Sequence, residues 1–270
     1  MKIELLKANS LIESILEERS EGKTISITHI DHKMINLILY LWQDQKSSLF
    51  SSSSSVYVKN STITKFLGIT RQQSNEVFFD DEGNKLSFVE KHLYNLNKQS
   101  ILVRNAIIPK LGANNELLFD SEGKVVLDRM DKTYFSPISD FSLVQSDGKD
   151  KVYRIGISPI IMALANLEIL NAQNNGIGYT KLELTMLGKI KNIKAIRLFE
   201  ILKFKTRMRE GRISLSSSYL SEIFGIESRR LKTELSKAKE SLKALADIDF
   251  ERKTSLDGNY YEFSYRFKDQ

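Results

Sequence analysis

The sequence of 270 residues contains no cysteine and only three prolines, and this excludes several kinds of site at the outset. A chain without cysteine has no disulfide, no thiol nucleophile and no cysteine-ligated zinc or iron–sulfur centre. It also has no run approaching the roughly 18 consecutive apolar residues of a membrane span, and acidic residues occupy the N-terminal segment where a signal peptide would be apolar. We therefore expect a cytoplasmic protein that neither spans a membrane nor is secreted.

Catalytic motifs are equally scarce in this sequence. It lacks the GxxxxGK[ST] loop that binds nucleotide phosphates, and it contains only three histidines. His29 and His32 are spaced by about one helical turn, but they straddle the expected start of a helix, so a surface or capping role is favoured over metal binding. We predict no catalytic residue, no metal site and no cofactor.

Two other groups of residues invite a chemical interpretation. Tyr260 and Tyr261 could supply the nucleophile of a DNA-nicking enzyme, but strand alternation places one of them in the core and the other at the surface. Asp80, Asp81 and Glu82 could bind a cation, although such an acidic run is more often a solvated turn. Neither group changes the expectation of a protein without enzymatic activity.

The composition is that of a folded protein with more than one domain. Hydrophobic residues make up 41% of the chain, which is enough for a core, and its length predicts two domains at roughly 100–200 residues each. The formal charge of +6 is distributed unevenly along the chain. Residues 1–150 carry 18 basic and 20 acidic residues, whereas residues 151–270 carry 22 and 14. All of the excess positive charge lies in the C-terminal half.

This excess is densest between residues 189 and 212. Nine basic residues stand there against Glu200 and Glu210. The nine are Lys189, Lys191, Lys194, Arg197, Lys203, Lys205, Arg207, Arg209 and Arg212. Such a cluster is typical of a surface that binds a polyanion, although a solvated helix face can have the same composition.

An internal repeat gives the clearest indication of the fold. Residues 61–69 (STITKFLGI) align without gaps on residues 218–226 (SYLSEIFGI). Each copy follows a segment with helical apolar spacing and a short β-like segment, and each runs through a glycine, Gly68 or Gly225, towards a candidate helix cap at Thr70 or Ser228. The order helix, strand, helix, glycine turn and helix therefore occurs twice, as in a helix-turn-helix unit that contains a strand.

The segments that follow extend each unit. Residues 247–253 and 259–267 predict a β-hairpin around Leu256-Asp257-Gly258. A helix-turn-helix with such a hairpin is a winged helix, so we predict an α+β fold of two tandem winged-helix domains. Residues 1–22 would form an amphipathic extension whose stripe at 3–16 docks as a helix on its own domain or on a partner chain. Residues 23–165 would form the first winged-helix domain, and residues 166–270 the second, which is the main DNA-binding domain.

The second unit supplies a candidate recognition helix at residues 228–246. Its apolar positions form one stripe, and the opposite face combines arginines suited to guanine edges with lysines suited to phosphates. The residues predicted to contact DNA on this face are Arg229, Arg230, Lys232, Thr233, Ser236 and Lys237. Further contacts are predicted from Lys203, Lys205, Arg207 and Arg209 before it, and from Arg252 and Lys253 in the hairpin.

The first unit has a weaker version of these features. Its recognition region at residues 70–79 is followed by the acidic run at 80–82 and a predicted helix at 85–99, and its basic residues are sparser. Arg71 and Lys91 are its candidate DNA contacts. We expect this domain to contribute auxiliary DNA contact and self-association, which makes a homodimer possible.

The C-terminal half resembles the iteron-binding replication initiators of theta-replicating plasmids. The likeness runs through residues 179–207 with the core RLFEIL at 197–202, the helix-turn-helix at 213–246, and the closing strand NYYEFSYRF at 259–267. The N-terminal half is similar in its order of elements more than in its residues.

The resemblance implies a function that composition alone does not. A member of this family binds direct repeats in double-stranded DNA at a plasmid origin, helps to open the duplex, recruits a host helicase or initiator, and can repress its own promoter as a dimer. A winged-helix transcriptional repressor without a replication role is the alternative. The third hypothesis is a nicking endonuclease that uses Tyr260 or Tyr261.

Overall fold

The computed structural model describes residues 4–14, 27–45, 54–110, 112–113, 118–123, 126–144, 150–165, 179–206, 208–256 and 258–268. Helices and small sheets alternate along these ranges, which confirms the predicted mixture of α and β structure. Every strand pair described is antiparallel. Among the described helices, none is both long enough and apolar enough to cross a membrane.

The N-terminal part builds a helical layer on a small sheet. Its helices are α1 (Asn9–Ile12), α2 (His29–Gln45), α3 (Asn60–Leu67), α4 (Arg71–Ser74), α5 (Phe88–Lys98) and α6 (Pro159–Ala165). Its strands are β1 (Glu4–Ala8), β2 (Ser55–Lys59), β3 (Val77–Phe79), β4 (Lys85–Ser87), β5 (Ile101–Pro109), β6 (Leu127–Phe135), β7 (Ile138–Val144) and β8 (Val152–Ile157). Strands β2, β8 and β7 form one sheet in that order, and β3–β4 and β5–β6 are separate two-stranded sheets.

The C-terminal part has the order of elements that the repeat predicts. Its helices are α7 (Leu184–Lys189), α8 (Ile193–Thr206), α9 (Ser217–Phe224) and α10 (Ser228–Leu242). Its strands are β9 (Tyr179–Glu183), β10 (Glu210–Ser216), β11 (Ala246–Ser255) and β12 (Gly258–Phe267). Strands β11 and β12 form the predicted hairpin, and β10 joins the free side of β12.

The two glycines of the repeat have the conformation that their position requires. Gly68 ends α3 with φ of 66°, and Gly225 ends α9 with φ of 60°. In both cases the next residue, Ile69 or Ile226, donates its backbone N–H to a carbonyl in the last turn of the helix. A left-handed residue at this point satisfies orphan carbonyls and turns the chain towards the next helix. The aligned segments thus form equivalent helix ends.

The predicted N-terminal helix at residues 3–16 is wrong at residues 4–8, while residues 3, 15 and 16 lie outside the described residues. Residues 4–8 form β1, which pairs along its whole length with β9, and only Asn9–Ile12 is helical. Leu5 and Ile12 are fully buried. A short amphipathic segment can satisfy either a helix or a strand pattern, and pairing with a strand about 170 residues away decided between them.

The first recognition region also differs from the prediction. Only Arg71–Ser74 is helical, held by a capping box between Thr70 and Gln73, and the chain then forms the β3–β4 hairpin. The helix predicted at residues 85–99 begins at Phe88, because residues 85–87 belong to β4. The turn at Asp80 is solvated, and the Asp80 carboxylate accepts backbone N–H groups from Glu82 and Asn84.

The predicted ends of the second recognition helix need two smaller corrections. Glu227, not Ser228, is the residue that precedes the first turn, and its side chain makes no capping hydrogen bond. The helix ends at Leu242 instead of 246, because Ala246 already begins β11.

A buried ionic network connects the N-terminal strand β1 with helices α2 and α8. Glu200 of α8 is fully buried, and its Oε1 lies 2.8 Å from Lys7 Nζ, 3.0 Å from His32 Nε2 and 3.1 Å from Asn36 Nδ2. Arg197, also buried, lies 3.7 Å from Glu200 Oε2 and donates to the carbonyl of Ser14. Strand β1, helix α2 and helix α8 therefore meet around one carboxylate.

This network assigns His32 a different role from the one predicted. Burial lowers the pKa of His32 to about 4, against the opposing effect of Glu200, so the ring is neutral at pH 7 and acts as a buried hydrogen-bonding group. Burial alone would raise the pKa of Glu200, but Lys7, His32 and Arg197 hold it well below its usual range. The expected surface or capping role of His32 is therefore wrong.

Candidate nucleic-acid interface

Helix α10 separates its apolar and polar residues as the sequence predicts. Leu231, Leu235, Ala238 and Leu242 are buried against the domain core. The predicted contact residues Arg229, Arg230, Lys232, Thr233, Ser236 and Lys237 are all exposed. The structure thus brings these six onto one solvent-facing surface, which we call the α10 face.

Local interactions hold part of the α10 face in place. Lys237 pairs with Glu234 at 2.8 Å, one turn earlier on the helix, and its hydrogen bond lowers the pKa of that carboxyl group. Arg229 pairs with Glu227, and Ser236 donates to the carbonyl of Lys232. The Arg229 and Lys237 side chains are largely solvent-exposed, and surface ion pairs contribute little to stability, so these cations can exchange their partners for a phosphate at low cost.

The start of α8 lies beside the α10 face. Lys191 and Asn192 line a shallow recess together with Thr233, Ser236 and Lys237. The Asn192 side chain caps α8 by accepting the backbone N–H groups of Lys194 and Ala195 at 2.8 and 3.1 Å. The positive end of the α8 dipole therefore points towards this recess.

Lys191 and Asn192 are not among the DNA contacts predicted from the sequence. Lys191 was visible as part of the basic cluster between residues 189 and 212. Its position beside α10 depends on how α8 packs on that helix, and periodicity within α10 cannot show it.

The hairpin that follows α10 carries two further predicted contacts, Arg252 and Lys253. Strand β11 packs on α10, and Asp249 of the strand pairs with Lys239 of the helix. Arg252 is exposed on this hairpin, whereas Lys253 is half-buried and bonded to Glu262, which raises the pKa of Lys253.

Other predicted contacts lie at the opposite end of the hairpin. Lys203 Nζ lies 3.9 Å above the ring of Phe267, and Arg209 Nε donates to the Phe267 carbonyl at 3.2 Å. Phe267 pairs with Ala246, six positions along β11 from Arg252, or about 20 Å at the usual rise per residue. The structure therefore does not bring Lys203 and Arg209 together with Arg252.

Of three other residues of the basic cluster, Lys205, Arg207 and Arg197, the two described ones differ in their surroundings. Lys205 pairs with Glu13 of the N-terminal segment, while the Glu13 carboxylate also accepts from the Tyr219 hydroxyl at 2.9 Å. Arg207 lies outside the described residues. Arg197 belongs to the buried network and is not available to a ligand.

The two candidate DNA contacts in the first unit, Arg71 and Lys91, differ in how exposed they are. Arg71 is exposed at the start of the four-residue helix α4. Lys91 is half-buried on α5, with its Nζ 3.9 Å above the Phe78 ring. A cation that already stacks on an aromatic ring is less free to reach a phosphate.

The α10 face, the recess and the hairpin offer groups for binding a polyanion. Guanidinium groups, ammonium groups, hydroxyls and one helix N-terminus face solvent there, which suits phosphates and base edges. Among the described residues, no group of three or more His, Asp or Glu side chains could hold a metal ion. Tyr261 is buried and Tyr260 half-buried, which is the alternation that the sequence predicts.

Comparison with known structures shows which fold these elements build. The chain is similar to the Pi initiator protein in its crystal structure with iteron DNA, with a TM-score of 0.53 and 12% identity over 100% of this chain and 99% of that one. Two structures of RctB domains 2 and 3 align over 96% of this chain at 11% identity, with TM-scores of 0.45 and 0.40. No family model and no curated protein sequence matches. The resemblance to iteron-binding initiators is thus confirmed at the level of the fold.

Proposed function

We propose that this protein is a sequence-specific double-stranded DNA-binding replication initiator that recognises direct repeats at a plasmid origin. The observation that carries the proposal is the exposed α10 face, followed by a hairpin that carries the exposed Arg252, in a chain whose fold matches the Pi initiator along the whole length of both proteins. That protein is crystallised with iteron DNA. A helix in the major groove with a hairpin beside it is a common arrangement for reading DNA.

The two parts of the chain have different tasks in this proposal. Helices α8, α9 and α10 with the β10–β12–β11 sheet form a winged helix that makes the main DNA contacts. Helices α2, α3 and α4 begin a second winged helix, which adds auxiliary contact near Arg71 and mediates self-association. Opening of the origin, recruitment of a host helicase or initiator and repression of its own promoter belong to the same proposal. The protein acts by binding, without catalytic residues or a cofactor.

Selection of binding sites from random duplex DNA, followed by sequencing of the bound pool, tests recognition. Two winged helices on one duplex would cover groove segments about one helical turn, or 10 base pairs, apart. We expect an asymmetric motif of about two turns, read by one chain. A palindromic motif would instead favour a dimeric repressor, and the absence of any enriched motif would contradict specific recognition.

Substitutions on the α10 face test which residues read the site. Arg230→Ala should weaken binding to the selected site by about 1–3 kcal/mol and relax the preference at one position. Lys232→Ala should weaken all sequences alike and reduce the salt dependence by about one phosphate contact. Arg154→Ala is the matched control, because Arg154 lies on β8 rather than on α10 or α4, and its substitution removes a positive charge that pairs with Asp140. Equal effects of Arg230→Ala and Arg154→Ala would contradict the assignment.

Replication separates the initiator from the repressor. A plasmid that carries only the origin with the selected repeats should be maintained when this protein is supplied in trans, and lost when the Arg230→Ala variant is supplied. A repressor would bind the repeats but would not sustain the plasmid. Incubation of supercoiled origin DNA with the protein and magnesium tests the nicking hypothesis, because nicked circles that disappear with Tyr260→Phe or Tyr261→Phe would contradict a non-enzymatic role.

A further inference from the structure

A large cavity lies outside the α10 face, where α2, α3, α4 and α7 meet. Its volume is about 1310 Å³, above the roughly 300–1000 Å³ of most small-molecule sites. Five large apolar residues line it while only partly buried. They are Ile30, Tyr40, Leu41, Phe66 and Ile69. Partly exposed apolar side chains gathered in one concave place are typical of a site that another molecule covers.

The edge of this cavity is predominantly basic. Lys65, Lys189 and Lys191 are exposed around it, and His29 and Lys33 line it from α2. Lys33 holds the cavity wall together, because its Nζ donates to the carbonyl of Gly188 at 2.6 Å and thereby links α2 to α7. Glu76 is the carboxylate among the lining residues. The cavity therefore combines an apolar floor with a positively charged edge.

We propose that this cavity binds an amphipathic helix from a partner protein, with apolar residues facing Leu41 and Phe66 and acidic residues facing Lys65 and Lys191. Grooves between helices commonly accept the apolar face of a helix through residues spaced i, i+3, i+4 and i+7. The basic edge sets the charge of the partner, because like charges across an interface are costly and opposite charges speed association.

Lys191 connects this site with the proposed DNA-binding surface. It lines both the cavity and the recess beside Thr233, Ser236 and Lys237. Acidic residues of a docked helix would neutralise Lys191 and place negative charge near the DNA phosphates. Occupation of the cavity should therefore weaken DNA binding, and DNA should weaken helix binding by the same factor, since coupling between sites is reciprocal. This coupling, unlike the docking site itself, rests on the proposed function.

Selection from a displayed library of random 16-residue peptides on the full-length protein tests the docking site. We expect enriched peptides to have an excess of Asp and Glu and apolar residues at helical spacing. Their affinity, measured by fluorescence anisotropy, should fall about tenfold for Lys65→Glu and for Leu41→Glu, which corresponds to about 1.4 kcal/mol. Lys85→Glu is the control for charge, because Lys85 is exposed on β4 outside the cavity and should leave affinity unchanged.

Several outcomes would overturn the proposal. These are a library without any enriched peptide, enriched peptides that are basic or uncharged, and peptides whose affinity is the same for Lys65→Glu and Lys85→Glu. Because Lys65 is exposed, its variant reports on the site even if Leu41→Glu does not fold. Enriched peptides that match a segment of this chain would identify a second copy as the occupant and would also overturn it.

The coupling is measured with a labelled duplex that carries the selected DNA site. A saturating acidic peptide should weaken DNA binding, and Lys191→Ala should reduce this effect while peptide binding persists through Lys65. Peptide binding to a protein that shows no DNA binding would support the docking site and contradict the proposed function. DNA binding that no peptide changes would contradict the coupling alone.

Discussion

Single residues in the buried network decide how β1, α2 and α8 are joined. Glu200→Gln should strongly destabilise the protein, by about 3–5 kcal/mol, because it leaves Lys7 and Arg197 buried without a countercharge. Urea unfolding followed by circular dichroism measures the change. Glu240→Gln is the matched control, since Glu240 pairs with Lys243 on the exposed side of α10 and should have little effect. Similar losses for both variants would contradict a special role for the network.

The same residues show what can be predicted from sequence at this scale. The polar face of α10 could be predicted, because periodicity within one helix fixes which side is buried. The role of Arg197 could not, since its charge alone assigned it to the basic cluster. Its carboxylate partner is one turn away, but Lys7 and His32 reach the same site from positions 193 and 168 residues distant. Pairing over such distances leaves no local pattern.

At the scale of the element, the glycine turns that end α3 and α9 affect the free energy of unfolding by a measurable amount. Gly225→Ala should destabilise the protein by about 1–2 kcal/mol, because an L side chain is strained at a positive φ. A Cβ at this position would contact nothing within 4 Å, so the cost is that of the backbone alone. Gly225→Asn should cost less, since asparagine tolerates this conformation best after glycine. Thermal or urea unfolding of both variants measures the difference, and an alanine variant as stable as the parent would contradict the assigned turn.

The N-terminal strand offers a second test of an element. Leu5→Ala should destabilise the protein by about 2–5 kcal/mol, because Leu5 is fully buried on the strand that pairs with β9. Leu6→Ala, at a neighbouring half-buried position, is the control and should cost less. Urea unfolding compares the two. A segment that only lay on the surface as a docked helix would show small and similar effects.

The elements that were predicted wrongly from the sequence, β1 and the β3–β4 hairpin, lie where one segment fits more than one kind of secondary structure. Residues 3–16 have an apolar stripe that fits a helix, and β1 forms there only because β9 supplies a partner strand. In the first unit, Val77, Phe78 and Phe79 favour a strand, and they precede a turn in which Gly83 has a φ of 83°. This local pattern indicates a hairpin, but the similarity to the second unit led to the prediction of a recognition region there. The hairpin at β11 and β12 was predicted well because its strands are adjacent in the chain and joined by a short turn.

The pH dependence of stability belongs to the whole molecule, because His32 is buried where β1, α2 and α8 meet. Folding lowers the pKa of His32 from 6.5 to about 4. The unfolded chain therefore binds a proton at a higher pH than the folded protein. Stability from this residue is fully present above pH 6.5 and is lost as the pH falls towards 4. The full shift corresponds to about 3 kcal/mol.

Urea unfolding at pH 7, 6 and 5 measures this dependence, and the free energy of unfolding should fall with each step. His32→Asn should be less stable at pH 7 but should lose much less on acidification. A weaker slope should persist, because burial also lowers the pKa of the half-buried His29. Glu200 affects stability at lower pH. Because folding lowers its pKa, its contribution to stability is lost only as the pH falls below the ordinary value of 4.5. A parent protein whose stability is constant from pH 7 to 5, or a His32→Asn variant with the same slope, would show that the network does not keep this ring neutral.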